Sequence, residues 1–227
     1  MGKVRSKRYR ECLEKVPQGK VSVLDAVKAV KAFKSTKFDQ TINLTMHLGI
    51  DPKQADQAIR GAISLPHGIG ASKKVICFCD GDDIARAKDA GAIEAGADEL
   101  VKKVNDGWLD FDVAIATTPM MKVVSRLGRV LGPQGKMPSP KAGTVVTDVS
   151  TAVREYAAGK LEFRNDDGGN VRAVVGKQSF EDQKLVDNIE MFLNHIRRMK
   201  PPASKGIYIM KVVLSASMSP SVQVDVQ

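Results

Sequence analysis

The chain has 227 residues, 43% of them hydrophobic, with 35 Lys+Arg against 26 Asp+Glu and a formal net charge of +9. That composition folds as a globular protein and makes a polyanion the leading partner class, because such a field draws phosphates over a Debye length, and anionic membranes by the same attraction. No run approaches the roughly 18 to 20 apolar residues of a bilayer-spanning helix, no apolar core follows the basic N-terminus as in a signal peptide, and Cys12, Cys77 and Cys79 make no disulfide framework, so a soluble cytoplasmic protein is expected.

In chain order, a basic helix is predicted over Lys7 to Val16, then a turn at Pro17 to Lys20. An amphipathic helix follows from Val21 to Phe33, where Val23, Ala26, Val27, Val30 and Phe33 recur at helical spacing and Ser22 stands as N-cap. In TINLTMHLGI the residues Ile42, Leu44, Met46 and Leu48 share one face of a half-buried strand, and a second strand is expected near Gln57 to Leu65. Pro66, Gly68 and Gly70 then break the chain.

Strand and helix alternate after that break: KVICFCD as a buried strand, DDIARAKDAGA and ADELVKKVNDG as helices, DFDVAIATT as a strand, MMKVVSRLGRVLG as one helix, and a last helix from Val149 to Tyr156. This is the texture of a small α/β unit with a parallel or mixed sheet, in which Cys77 and Cys79 point to the same face. A second break, Ala157 to Lys160, returns the chain to its opening texture. GKLEFRND and GNVRAVVGK read as strands joined by the turn Asp166 to Gly169; a helix from Phe180 to Met199 stops before Pro201-Pro202, and the strands IYIMKVVLS and SVQVDV follow.

The charges divide along the same lines. Residues 68–159 carry 12 Lys+Arg and 12 Asp+Glu, while the flanking segments carry 23 and 14. The expectation is an α/β protein of two domains: a discontinuous one, 1–67 with 160–227, that holds the excess charge as its footprint on a polyanion, and an inserted one, 68–159. The insert is itself polarised, with ten acids and four bases in 80–112 but five bases and no acid in 119–143. A double linker with glycines on both strands suits a hinge.

The stretch LGPQGKMPSPKAGTV, Leu131 to Val145, resembles a phosphate-gripping loop but fails the Walker spacing: Gly132, Gly135 and Lys136 are too close, Met137 occupies the hydroxyl position, and a helix precedes it instead of a strand. It is either a rigid surface turn or, with Arg126, Arg129, Lys136 and Lys141, a contact to an RNA or tRNA backbone. A dinucleotide fingerprint fails too, because GDDIARA has one glycine and its aspartates would repel a pyrophosphate. No nucleophile elbow, HExxH pair or Cys/His catalytic context appears, and His47, His67 and His195 lack zinc-ligand spacing. No cofactor or metal is therefore expected; a nucleotide-dependent enzyme on the inserted unit is the alternative. A loose myristoylation pattern at Gly2 and Ser6 is outweighed by a plain basic helix start.

Two outer-domain features invite RNA. Lys37-Phe38-Asp39 lies between a helix and a strand, where Phe38 either stacks on a base or caps the helix as a core residue, the reading that composition favours. SASMSPS, Ser215 to Ser221, is a polar loop or a contact edge whose small side chains let backbone approach a sugar-phosphate chain.

Taken together in this order, KFDQTINLTMHLGIDPKQADQAIRGAISLPHG, WLDFDVAIATTPMM, RLGRVLGPQGKMPSPKAGTV, GKLEFRND and KPPASKGIYI are highly specific. The chain resembles the bacterial-type L1 (uL1) family of large-subunit ribosomal proteins over essentially its full length. The resemblance implies a sandwich-like α/β domain built from both chain ends and an inserted Rossmann-like domain. It further implies binding to 23S rRNA in the mobile stalk beside the exit site, movement and release of deacylated tRNA, repression of the protein's own mRNA, and contact with other large-subunit components. Carried onto this sequence, the rRNA-binding residues are Lys37, Phe38, Thr41, Arg164, Asp166, Ser217, Met218 and Ser219. Two positions depart from the family's usual residues: Ser219 stands where a glycine is usual, adding a Cβ at a close approach, and Asp167 stands where lysine is common.

Overall fold

A serine opens each of the first two helices. Ser6 Oγ accepts the Tyr9 amide at the start of α1 (Lys7–Glu14), and Ser22 Oγ accepts that of Asp25 at the start of α2 (Val23–Ala32). Each satisfies an amide that the first helical turn leaves without a partner. The computed structural model describes residues 5–34 and 36–226, so Gly2 of the myristoylation pattern lies outside the described residues. Both helices are shorter than periodicity predicts. Val21 leaves α2 for a parallel bridge to Val224, its amide donating to the Gln223 carbonyl at 3.1 Å.

The chain packs into two compact units, Met1–Gly70 with Leu161–Gln227, and Ala71–Lys160. In the first, β1 (Thr41–Leu48) buries Ile42, Leu44, Met46 and Leu48 while Thr41, Asn43, Thr45 and His47 stay half-exposed, as a period of two requires. The strand expected near 57–65 is only β2 (Arg60–Ile63).

The second unit runs β3 (Val75–Phe78), α3 (Asp83–Asp89), β4 (Glu94–Gly96), α4 (Asp98–Asn105), β5 (Val113–Thr117), α5 (Met121–Val124), α6 (Gly128–Leu131), β6 (Val145–Val146) and α7 (Val149–Ala157). Its strands form a parallel sheet in the order β4-β3-β5-β6. Helices cover both faces: Ile76, Phe78, Ala114 and Ala116 pack with α4 and α5, and Val75, Cys77, Cys79, Val113 and Ile115 pack with α7. A parallel sheet buried on both sides reads as an uninterrupted apolar run, which is why β3 and β5 stand out in the sequence. The short β4 and β6 do not. The single helix predicted over MMKVVSRLGRVLG is broken by a 3-10 turn, Ser125–Leu127, where Ser125 Oγ bonds the Lys122 carbonyl and Gly128 follows.

Back in the first unit come β7 (Leu161–Arg164), β8 (Asn170–Lys177), α8 (Asp182–Arg198), β9 (Ile209–Ala216) and β10 (Val222–Val224). An antiparallel sheet takes the order β10-β9-β1-β8, and β2 pairs with β7 in a separate two-stranded sheet. The strands flanking the 166–169 turn thus part company into different sheets, joined by a bridge between Asn165 and Val171. The turn needs its glycine. Gly169 has φ +72 and receives the Leu48 amide at 2.9 Å, and a Cβ there would stand 3.1 Å from the Leu48 carbonyl oxygen. Helices α2 and α8 close the core with Val27, Val30, Ile189, Phe192 and Ile196 on the even-numbered face of β1.

Candidate nucleic-acid interface

The odd-numbered face of β1 carries one group of predicted residues at each end. At the start of the strand, Thr41 and the loop after β9 are tied together: the Ser217 amide donates to the Thr41 carbonyl at 3.1 Å, the Thr41 amide to Ser217 Oγ at 3.3 Å, and Lys177 Nζ to Thr41 Oγ1 at 2.8 Å. Both backbone groups of Met218 are occupied. Its amide donates to Oε1 of Gln40, a residue 1% exposed, at 2.9 Å, and its carbonyl accepts from Arg8 of α1 at 2.7 Å. With the backbone held, Met218 turns its side chain outward, 54% exposed, and Phe38, two residues before Gln40 and next to Lys37, is 52% exposed.

Phe38 is therefore not the helix-capping core residue that composition favours; Phe33 and Val30 already fill that end of the core. An exposed aromatic ring offers a stacking surface for a base, and an exposed thioether a soft, polarisable contact. Among the described residues none other than glycine has a positive φ, so the backbone at Ser219 does not itself require glycine, and the Ser219 hydroxyl accepts the Ala216 amide at 3.0 Å and donates to the Pro220 carbonyl at 3.1 Å. Gln40 and Arg8 escape sequence reasoning because their roles depend on a loop about 180 to 210 residues away in the chain.

At the other end, Asp166 is an organiser of the turn. Its carboxylate accepts the Gly168 and Asn170 amides at 2.9 and 2.8 Å and the Asn170 side-chain amide at 3.1 Å, with Arg172 at 3.4 Å. The hydrogen bond from the Asn170 amide, before the others, holds this carboxyl below the usual aspartate range. Arg164 is exposed, as is Asp167.

Between these ends lie residues absent from the sequence-based set. Across the half-exposed face, Thr45 pairs with Arg172 on one side and Val213 on the other, His47 with Asn170 and Lys211, and Asn43 with Val174 and Ser215. Arg172 and Lys211 are exposed. From Thr41 to His47 the strip is about 20 Å long at roughly 3.4 Å per residue. The signal for it is the strand alternation itself, whose polar half lacks the apolar residues that would mark a second buried layer.

The four cations predicted in the second unit do not behave alike. Arg126 and Arg129 are exposed with Lys122, at helical spacing, and among the described residues their side chains have no ion-pair or hydrogen-bond partner. Lys141 is exposed on a separate 3-10 turn, Pro140–Ala142. Lys136 is folded back: its ammonium donates to the carbonyls of Leu109 at 3.1 Å and Phe111 at 2.5 Å and sits 5.0 Å from the Phe111 ring centroid. The loop from Leu131 follows α6 and leads to β6, the reverse of a strand-loop-helix phosphate site. Among the described residues no group of three or more His, Cys, Asp or Glu could hold a metal ion, and no helix is long and apolar enough to cross a membrane.

The family model described as ribosomal protein L1p/L10e family matches residues 30–220. Three relatives named large ribosomal subunit protein uL1 are similar throughout: that of Rhodopirellula baltica at 56% identity, covering 99% of each chain, that of Kosmotoga olearia at 48%, covering 98% of this chain and 97% of its own, and that of Protochlamydia amoebophila at 45%, covering 98% and 94%.

Proposed function

The chain belongs to the ribosomal protein L1p/L10e family and is a large-subunit ribosomal protein, not an enzyme, and from that membership we propose that its first unit grips folded 23S rRNA of the mobile stalk beside the exit site. The two compact units serve as domains, the second inserted into the first and free to swing. The observation that carries the reading is the half-exposed sheet face with Phe38 and Met218 at one end and Arg164 at the other, in the part of the chain that holds the excess positive charge. Such a strip offers base stacking at one end and phosphate contacts along its length. Lys37, Thr41, Ser217 and Ser219 complete the first end; Asp166 acts by shaping the second.

The second unit contacts deacylated tRNA through Arg126 and Arg129 and assists its release, and the first unit binds the protein's own mRNA where that message mimics the stalk. The test is binding of the purified protein to a stalk rRNA fragment and to a random structured RNA of equal length across a salt series. The expected result is tighter binding to the stalk fragment, with a log-log salt slope of about 0.7 to 0.9 per phosphate neutralised. Equal affinity for the two RNAs would overturn the reading.

A further inference from the structure

The outer face of the small sheet presents an arrangement that sequence order hides. Arg60 of β2 and Arg164 of β7 are direct cross-strand partners, which places their Cβ atoms about 5 Å apart on one face. Both are exposed, and among the described residues neither guanidinium has an ion-pair or hydrogen-bond partner. Like charges directly opposite in an antiparallel pair repel. The two arginines line an open cleft of about 500 Å³ that reaches to Arg172 on β8. Of the cleft's carboxylates, Asp166 is taken up by the amides of its own turn and by Arg172, Glu162 stands two residues along β7 from Arg164, and Asp167 is exposed at the rim.

We propose that this cleft binds a single phosphate group between the guanidinium forks of Arg60 and Arg164, with Arg172 held by Asp166 as its third wall. Arginine forks match a tetrahedral oxyanion with paired N–H donors, and one anion between two such forks turns mutual repulsion into attraction to a shared centre. The group is either a backbone phosphate of the RNA, which rests on the rRNA-binding reading above, or a free phosphate anion; the chemistry of the site is the same for both. Arg60 and Arg172 are thereby added to Arg164 as ligands, and Asp167 at the rim weakens the site.

The test combines thermal melts of the full chain in inorganic pyrophosphate at fixed ionic strength with stalk-RNA binding over a salt series, for wild type, Arg60→Gln, Arg164→Gln and Asp167→Lys. Pyrophosphate is expected to raise the melting midpoint of the wild type more than that of either glutamine variant. Without anion, the glutamine variants are expected to melt no lower than wild type, because one of two repelling charges is gone. If the phosphate comes from RNA, each glutamine variant also lowers the salt slope by about one unit and Asp167→Lys strengthens binding. A lost pyrophosphate response with an unchanged RNA slope assigns the cleft to a free anion. Equal pyrophosphate responses in wild type and both glutamine variants, with equal RNA slopes, would overturn the proposal. If wild type fails to prefer stalk RNA at all, the rRNA reading fails alone, and the pyrophosphate melts still decide the cleft.

Discussion

Two lysine-bearing loops have opposite fates. Each joins lysine to an aromatic ring: Lys37 beside Phe38 in the first unit, Lys136 above Phe111 in the second. In the first unit the ring is 52% exposed, the Phe38 carbonyl accepts from Thr36 Oγ1 at 3.0 Å, and the backbone of the Ser217–Met218 loop is secured by Gln40, Thr41 and Arg8. In the second, the ammonium is spent on two carbonyls and Phe111 is 2% exposed. A basic loop is thus available to a polyanion only when its own unit leaves the charge unsatisfied. Charge counting alone does not distinguish the two.

The largest expected effect tests the open member of the pair. Phe38→Ala with Met218→Ala should weaken stalk-RNA binding by about 2 to 3 kcal/mol, from lost stacking, with an unchanged melting midpoint. A filter-binding titration beside a melt checks it; full affinity in the double variant would break the contrast at its strongest point. Lys136→Met should do the reverse, leaving stalk-RNA affinity unchanged while lowering stability by about 2 kcal/mol, the scale for a charged group that loses two acceptors. Denaturant titration measures it, and a loss of RNA affinity without loss of stability would put Lys136 on the binding surface.

Ser219→Ala sharpens the contrast at a single hydroxyl. It leaves the Ala216 amide without its partner, so about 1 kcal/mol of loop order is at stake, read as weaker RNA binding in the variant with a nearly unchanged midpoint. Smallest is Tyr208, whose hydroxyl is buried without a hydrogen-bond partner among the described residues and whose titration burial pushes up to about 12. Tyr208→Phe should stabilise by about 0.5 to 1 kcal/mol. Because the folded value lies above the unfolded one, the protonated phenol favours the folded state fully below pH about 10 and that contribution is lost as pH rises toward about 12. Melts from pH 9 to 11 should show wild type losing stability faster than Tyr208→Phe; parallel curves would remove this account.

The alternation in β1, the apolar runs of β3 and β5, the capping Ser22 and the helix α8 were all legible in the sequence, because each depends on residues within one or two turns of one another, whereas the cap at Ser6 was not read there. The strands β4 and β6 were not, since three and two residues carry too little pattern, and their partners supply the pairing. The predicted site shows the same split. Its residue types and their place in the chain came from the sequence, as did the failure of the Leu131–Val145 loop as a nucleotide site. That Phe38 faces solvent, that Asp166 bonds its own turn, that Lys136 turns inward and that Arg60 stands opposite Arg164 were decided only by the tertiary structure. The reason is physical: a polar or aromatic side chain is free or satisfied according to which carbonyls, amides and charges the fold brings beside it, and the partner lies 25 residues away for Lys136 and 104 residues away for the Arg60–Arg164 pair (164 − 60).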